Sequence, residues 1–225
     1  MAALIPLGDV SRRRARFPIA TTAIIVLNAL VFFLELKGGD QFVYEWAAIP
    51  ANIVSGHALP TLLTSMFIHG SWSHILGNMV FLWAFGPAME DIMNPWRFTA
   101  FYLLGGLVAM LAQVAASPTS MIPTLGASGA IAAVMGAFLV TYPRDRIRAI
   151  FWLIFFIRIT YIPAIFLIGF WFLIQVLNVG SVASVQHGGV AYVAHVGGFL
   201  FGALTIRLFR GPKRYTQPPN TWPRY

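Results

Sequence analysis

Long apolar stretches separated by short charged segments dominate this chain. Four stretches contain no Asp, Glu, Lys or Arg, and they cover residues 17–34, 46–89, 98–143 and 159–206. A helix needs about 20 residues to cross the hydrocarbon core of a bilayer. The first stretch therefore predicts one crossing, whereas the third and fourth are each long enough for two, with breaks expected near residues 117–123 and 178–181. The second stretch fits either one crossing or two.

The basic residues decide between these two possibilities. If both termini are cytoplasmic and residues 46–89 cross once, Lys37 is the only basic residue outside. A double crossing would move Arg97 and every later basic residue outside, against the positive-inside rule. The pattern therefore predicts six spans, at approximately 17–36, 72–89, 98–116, 126–142, 161–177 and 189–208.

The predicted fold class is all-α, a polytopic membrane bundle of six transmembrane helices with both termini cytoplasmic. Residues 1–16 are expected to form a basic cytoplasmic N-terminus and 17–210 the membrane domain, which includes an ordered external loop at 38–71. Residues 211–225 are expected to form a flexible, proline-rich cytoplasmic tail. No small-residue cleavage site follows the first span, so we expect a retained helix. The expected location is a bacterial inner membrane.

Composition agrees with a membrane protein. Hydrophobic residues make up 58% of the chain and charged residues 10%, and the mean hydropathy is +0.75, whereas soluble domains carry about 25% charged residues. Membrane topology explains the net charge of +8, so no nucleic-acid partner is expected. The chain has no cysteine, which excludes disulfides and thiol nucleophiles. The histidine spacing does not suggest a metal site, and no cofactor is expected.

Polar side chains inside predicted spans are costly, so their positions are informative. Four of them lie at the outer ends of three spans that run in the same direction, and these are His74 and Asn78 in span 2, Ser128 in span 4 and His195 in span 6. The topology places all four at one depth. His74 and Asn78 also share a helix face, because they are four residues apart. Gln175 in span 5 is expected to hydrogen-bond a neighbouring helix.

Small residues predict that spans 4 and 6 approach each other closely. The pattern Gly198-x-x-x-Gly202 in span 6 lies opposite a ridge of small residues that begins at Gly129 in span 4. Such ridges let helix backbones come together in a membrane. Their contact would bring Ser128 and His195 within reach of each other.

These residue types together suit acyl transfer. A serine hydroxyl is a weak nucleophile until a base removes its proton, and histidine is the usual base. The oxyanion that forms needs hydrogen-bond donors. The backbone N–H of Ser128, the Asn78 amide and a ring N–H of His74 could supply them, and Gly126 allows a tight turn before Ser128. No carboxylate lies beside His195, so the sequence predicts a Ser–His dyad with the histidine oriented by packing.

Three motifs resemble those of the rhomboid intramembrane serine proteases in order, spacing and span. They are His74-x-x-x-Asn78, Gly126-x-Ser128-Gly129 and Ala194-His195-x-x-Gly198-x-x-x-Gly202. The resemblance covers roughly residues 65–210 of the chain. It implies a six-span serine endopeptidase of the bacterial type that cleaves transmembrane segments of other membrane proteins near the external face.

The resemblance also implies residue roles. Ser128 would be the nucleophile and His195 the general base, and His74, Asn78 and the backbone N–H of Ser128 would stabilise the oxyanion. Glu90 resembles the family's structural glutamate at the inner end of span 2, and it is expected to hold the loop between spans 2 and 3.

Two positions depart from the family pattern. Many members carry a tyrosine four residues after the serine that stacks on the histidine, but this chain has Ala132 there, so Tyr192 is a candidate for orienting His195. Many members also carry a Trp-Arg pair in the first external loop, where this chain has Glu45-Trp46.

Alternative interpretations remain open from the sequence. Each site residue has an ordinary structural explanation: an N-cap for Ser128, packing or proton relay for His195, a bridge between helices for Asn78 and an interfacial position for His74. The chain could also be a catalytically inactive rhomboid-like membrane chaperone or binding protein, or less favourably a small transporter. The sequence does not indicate the substrate or the oligomeric state.

Overall fold

The computed structural model describes residues 2–11, 16–153, 155–179 and 190–211. Expectations for residues 12–15 of the basic N-terminus, for the break at residues 180–181 and for the tail at 212–225 lie outside the described residues.

Helices make up most of the described chain. The α-helices are α1 Ile19–Trp46, α2 Pro50–Val54, α3 Thr61–Thr64, α4 Trp72–Met93, α5 Pro95–Ala116, α6 Ser128–Thr141, α7 Ala164–Asn178 and α8 Tyr192–Phe209, and Ser65–Phe67 forms a 3-10 turn. The predicted helical fold is confirmed, and each of the six predicted spans corresponds to one of α1, α4, α5, α6, α7 and α8.

The outer surface of the bundle has the character of a membrane protein. Among the described residues, α1, α5 and α8 are long and apolar enough to cross a bilayer, and α6 and α7 are shorter apolar helices. Large apolar side chains are exposed on the outside of these helices, including Phe166 and Leu177 of α7 and Leu204 and Leu208 of α8. Lipid tails would cover such side chains, since water would not solvate them favourably.

Helix α1 is longer than the predicted span. The prediction ended it before Lys37, but the helix continues to Trp46, with a break at Gly39, where φ is 60° and ψ is −152°. Charged residues are compatible with a helix that has left the hydrocarbon, because water solvates them there. The predicted loop at 38–71 therefore contains the end of α1, both short helices α2 and α3, and the 3-10 turn.

A three-stranded antiparallel sheet contradicts the all-α class. It consists of β1 Ala2–Asp9, β2 Arg146–Leu153 and β3 Phe156–Pro163, in the order β1-β2-β3. Residues 146–163 are rich in isoleucine and aromatic residues, which favour strands. Ile147 and Ala149 of β2 are fully buried against the helices. Strands β2 and β3 connect the end of α6 to the start of α7, and β1 precedes α1.

Helix α6 lies at the centre of the bundle. Every residue from Gly129 to Phe138 is buried, and α6 contacts α4, α5, α7 and α8. A helix that is apolar on all sides is stable only where other elements or lipid cover its whole surface, and here the other helices cover it. Because Ser128 is the first residue of α6, this arrangement places it at one end of the central helix.

Candidate active site

Helices α6 and α8 touch through their backbones. A Cβ atom at Gly198 would overlap the carbonyl group of Gly129, and one at Gly202 would overlap the carbonyl group of Ala133. Only glycine allows backbone contact of this kind along the two helices. The first turns of α6 and α8, which carry Ser128 and His195, are therefore adjacent.

Ser128 and His195 form a hydrogen bond. The distance from Ser128 Oγ to His195 Nε2 is 2.6 Å, and His195 is only 7% exposed. Ser128 is not an N-cap, because α6 is capped at Ala127 with no side-chain hydrogen bond. As the first residue of the helix, Ser128 also has a backbone N–H without an acceptor inside the helix.

The chain makes a tight turn at Gly126, two residues before Ser128. Gly126 has φ of +116°, a conformation that favours glycine, and a Cβ atom there would lie 2.7 Å from Nε2 of His74. The backbone N–H of Gly126 donates to the Ser65 carbonyl at 2.8 Å. The segment before Ser128 is thus fixed against the 3-10 turn, and the ring of His74 contacts it at Gly126.

The first turns of α4 bring His74 and Asn78 to the same place. Ser71 caps α4 by accepting a hydrogen bond from the backbone N–H of His74 at 3.2 Å. Asn78 is 7% exposed, and its Nδ2 is buried without a hydrogen-bond partner. A buried amide with unused protons is costly, so Asn78 is a donor available to a group that enters the site.

His74 can donate toward the site only in its charged form. Its Nδ1 bonds the backbone carbonyl of His69, and a carbonyl only accepts, so Nδ1 carries a proton. In the neutral ring Nε2 then has a lone pair. A donor at Nε2 therefore requires the imidazolium.

A carboxylate from α1 holds the segment that precedes α4. Glu35 accepts hydrogen bonds from the backbone N–H groups of His69, at 2.9 Å, and of Gly70. His69 is 1% exposed, and burial, together with the charge of His74, lowers the pKa of His69 to about 4. The ring of His69 is therefore neutral near pH 7.

Helix α7 provides two contacts that orient His195. The distance from Nδ1 of His195 to Oε1 of Gln175 is 2.8 Å. The ring of Trp171 lies 5.7 Å from that of His195, with the planes inclined by 35°, whereas Tyr192 lies edge-on at 6.5 Å. The sequence indicated that Gln175 bonds another helix, but nothing in it singled out His195 as the partner.

The four site residues line one cavity of about 1060 Å³. Ser128, His195, His74 and Asn78 all face it, and Gln113 of α5 contributes a further polar group. This volume slightly exceeds the range typical of small-molecule sites, about 300–1000 Å³.

The chain is similar in sequence to proteins of a known family. Residues 56–212 match the Rhomboid domain. The chain belongs to the rhomboid family. It is 34% identical over 134 residues to the mouse presenilin-associated rhomboid-like protein, mitochondrial, covering 58% of this chain and 35% of that protein. It is 32% identical over 126 residues to the rhomboid protease GluP of Bacillus subtilis, covering 54% and 24%.

A third relative covers more of the chain. Rhomboid protein 1, mitochondrial, of Saccharomyces cerevisiae is 27% identical over 189 residues, which is 81% of this chain and 51% of that protein. The chain thus spans about a quarter to a half of the length of these three relatives. Membership confirms the resemblance to the rhomboids and the assignment to a membrane.

Ala132 departs from the rhomboid pattern without leaving His195 unsupported. Ala132 is fully buried and offers no aromatic ring. The ring of Trp171 lies beside the histidine instead. In this rhomboid, helix α7 supplies the aromatic contact that many members take from the helix of the serine.

Glu90 has a different partner from the one expected. Its carboxylate accepts hydrogen bonds from the backbone N–H groups of Ala20 and Thr21 and from the Thr21 hydroxyl, each at 2.8 Å. It therefore holds the start of α1, and the expectation that it holds the turn between α4 and α5 was wrong. Asn94 occupies that turn and caps α5 by accepting from the backbone N–H of Arg97 at 3.3 Å.

Proposed function

We propose that this rhomboid is an intramembrane serine endopeptidase that cleaves transmembrane segments of other membrane proteins. The proposal is based on the 2.6 Å hydrogen bond between Ser128 Oγ and His195 Nε2. Asn78 lines the same cavity, and its buried amide nitrogen has no hydrogen-bond partner. A nucleophile, a base and an oxyanion donor in one cavity form a complete set for acyl transfer.

The reaction follows from this arrangement. Ser128 Oγ attacks the scissile carbonyl carbon while His195 Nε2 takes the hydroxyl proton. The oxyanion receives hydrogen bonds from Asn78 Nδ2 and from the backbone N–H of Ser128, and His74 provides a third donor when its Nε2 carries a proton. The C–N bond then breaks, and His195 gives its proton to the leaving amine. Water, deprotonated by His195, attacks the acyl-enzyme, and Ser128 leaves with its proton restored. No cofactor takes part.

The topology we propose has six crossings and two cytoplasmic termini, as the positive-inside rule predicts. Helices α4, α6 and α8 then run in the same direction, and their first turns meet near the external face. Helix α6 has 14 residues and so spans about 21 Å at 1.5 Å per residue, against a hydrocarbon core of about 30 Å. Ser128 would thus lie below the external surface while the cavity admits water.

A substrate must unwind to be cut here. A helical segment uses its carbonyl groups in its own hydrogen bonds, so none is exposed to Ser128 Oγ. Glycine and proline weaken a helix, and we expect cleavage next to such residues. The lipid bilayer and transmembrane proteins are therefore the proposed partners. A bacterial inner membrane is the proposed location, although two of the relatives above are named as mitochondrial.

A catalytically inactive chaperone or binding protein is the second candidate. Ala132 favours it, because the aromatic residue that many rhomboids place against the histidine is missing from α6. The contacts of His195 with Gln175 and Trp171 argue against it, because they leave the ring bonded to Ser128.

Cleavage in liposomes tests the proposal. The purified wild type, Ser128→Ala and the control Ser73→Ala are each reconstituted with a panel of transmembrane substrates that differ in glycine and proline content. Ser73 lies on the cavity wall and has no role in the mechanism. We expect products from the wild type and from Ser73→Ala only. Equal cleavage by Ser128→Ala would contradict the proposal, and substrate binding without cleavage by the wild type would favour the chaperone.

A further inference from the structure

The side-chain carbonyl oxygen of Gln175 contacts the ring nitrogen of His195 that does not bond Ser128. Gln175 is 6% exposed, and its Oε1 lies 2.8 Å from His195 Nδ1. The orientation of the amide is determined by its other end, because Nε2 donates to the backbone carbonyl of Trp171 at 3.1 Å. A carbonyl oxygen can only accept, so this geometry requires a proton on Nδ1 of His195.

The position of that proton decides whether His195 can act as a base. A neutral imidazole carries one ring proton, on either nitrogen. With the proton on Nδ1, the lone pair of Nε2 faces Ser128 Oγ and can receive the hydroxyl proton. With the proton on Nε2, that nitrogen has no free lone pair and cannot accept the proton of Ser128.

We propose that Gln175 is a positioning residue that selects the productive tautomer and ring orientation of His195. The inference rests on the proposed function, and it extends the dyad to a Ser128–His195–Gln175 series. In serine hydrolases with a triad, a carboxylate takes this third position, and an asparagine does so in papain-like cysteine proteases. A neutral amide suits a buried site within the membrane, where a carboxylate would be costly.

Helix α7 thereby controls the base in two ways. Trp171 and Gln175 are one helical turn apart, so both side chains project from the same face of α7. The amide accepts from the ring of His195, and the indole packs beside it. The contribution of Gln175 can be separated from packing because it alone determines the ring proton.

The test combines nitrogen-15 NMR of histidine-labelled protein with cleavage kinetics across pH. The variants are Gln175→Leu, which removes the acceptor at similar volume, and Gln175→Glu, which keeps an acceptor and adds charge. The matched control is Asn178→Leu, because Asn178 also lies on α7 and donates to a carbonyl one turn back, that of Ile174, at 2.7 Å. Signals of His195 are assigned by their absence in His195→Ala.

We expect a proton on Nδ1 of His195 in the wild type and a mixture of tautomers in Gln175→Leu. Its kcat should fall about tenfold with little change in KM, as loss of one buried hydrogen bond implies. In Gln175→Glu the acid limb of the rate profile should move to higher pH by about one unit, because a carboxylate stabilises the imidazolium. Asn178→Leu should match the wild type in both measurements.

An unchanged tautomer in Gln175→Leu, together with an unchanged pH profile in Gln175→Glu, would overturn the inference, as would a loss of activity explained by lower thermal stability alone. The NMR result does not depend on proteolysis. Suppose that the wild type cleaves no substrate while Gln175→Leu still changes the tautomer of His195. That pair of results would overturn the proposed function and leave the positioning role of Gln175 standing.

Discussion

Gly202 of α8 lies directly against the backbone carbonyl of Ala133 on α6, with no room for a Cβ atom between them. This contact holds the two helices at backbone distance. The hydrogen bond from Ser128 to His195 lies nearer the N-terminal ends of the same two helices, so its geometry depends on their separation.

Gly202→Ala should therefore separate α6 from α8. Overpacking a tight interface costs about 1–3 kcal/mol, and more where a backbone must move. We expect a lower melting temperature in detergent and slower reaction of Ser128. Gly169→Ala in α7 is the control, since a Cβ atom there meets nothing within 4 Å, and it should be neutral or stabilising by up to about 1 kcal/mol. Equal melting of the two variants would contradict the close packing.

Glu90→Gln should destabilise the fold without altering the chemistry of the site. The variant loses the charge and one of the two acceptor oxygens, so at least one backbone N–H at the start of α1 loses its partner, at a cost of about 1–3 kcal/mol. Glu90 lies on α4 about 24 Å from His74 along the helix axis. Glu45→Gln, on the exposed far end of α1, is the control for melting temperature. A reduced rate per folded molecule in Glu90→Gln would show that our assignment of this residue is incomplete.

Asn78→Ala should lower kcat by about 10²–10³-fold, which is typical of the loss of one oxyanion donor. The buried amide Nδ2 of Asn78 has no partner in the free site, so the variant should lose rate without losing a structural hydrogen bond. Cleavage in liposomes measures the effect, with Ser73→Ala as the control. An unchanged kcat in Asn78→Ala would show that this amide does not contact the oxyanion.

His69 should make the folded protein less stable in acid. Its pKa is lowered to about 4 by burial, below the ordinary value near 6.5, so the unfolded chain binds a proton between these values and the folded chain does not. Stability is then lost as pH falls from about 6.5 to 4, by roughly 1–3 kcal/mol. The difference in melting temperature between pH 6.5 and 4.5 should shrink in His69→Gln and persist in the control His57→Gln, whose histidine is exposed.

The positions of α1, α4, α5, α6, α7 and α8 could be predicted from the sequence, because each coincides with an apolar stretch bounded by charged or helix-breaking residues. The continuation of α1 beyond Lys37 could not, since its charged residues stop the hydrophobic signal without stopping the helix. The sheet was missed for another reason. Strand β1 pairs with β2, which lies far along the chain, as in the pair Asp9 and Ile147, and no local pattern records such a partner. Strands β2 and β3 are consecutive, and their isoleucine and aromatic residues favour strands, a local signal that the division into apolar spans did not use.

The candidate site was predictable where a motif lies on one helix. His74 and Asn78 follow from their spacing, and the glycines of α6 and α8 indicate which helices meet. Gln175 could be recognised as a polar residue in an apolar helix, but its bond to His195 depends on the rotation of α7 about its own axis. The partners of Glu90 could not be predicted from the sequence either, because they lie at the start of α1, which is distant from Glu90 along the chain.

Covalent labelling with a fluorophosphonate tests whether His195 activates Ser128 as a nucleophile. The protein is treated in detergent and its intact mass is measured, followed by peptide mapping. We expect one adduct on Ser128 in the wild type, no adduct in Ser128→Ala and a much slower reaction in His195→Ala, because the hydroxyl then lacks its base. A wild type that stays unlabelled, or a label that persists in Ser128→Ala, would contradict the claim that Ser128 is an activated nucleophile.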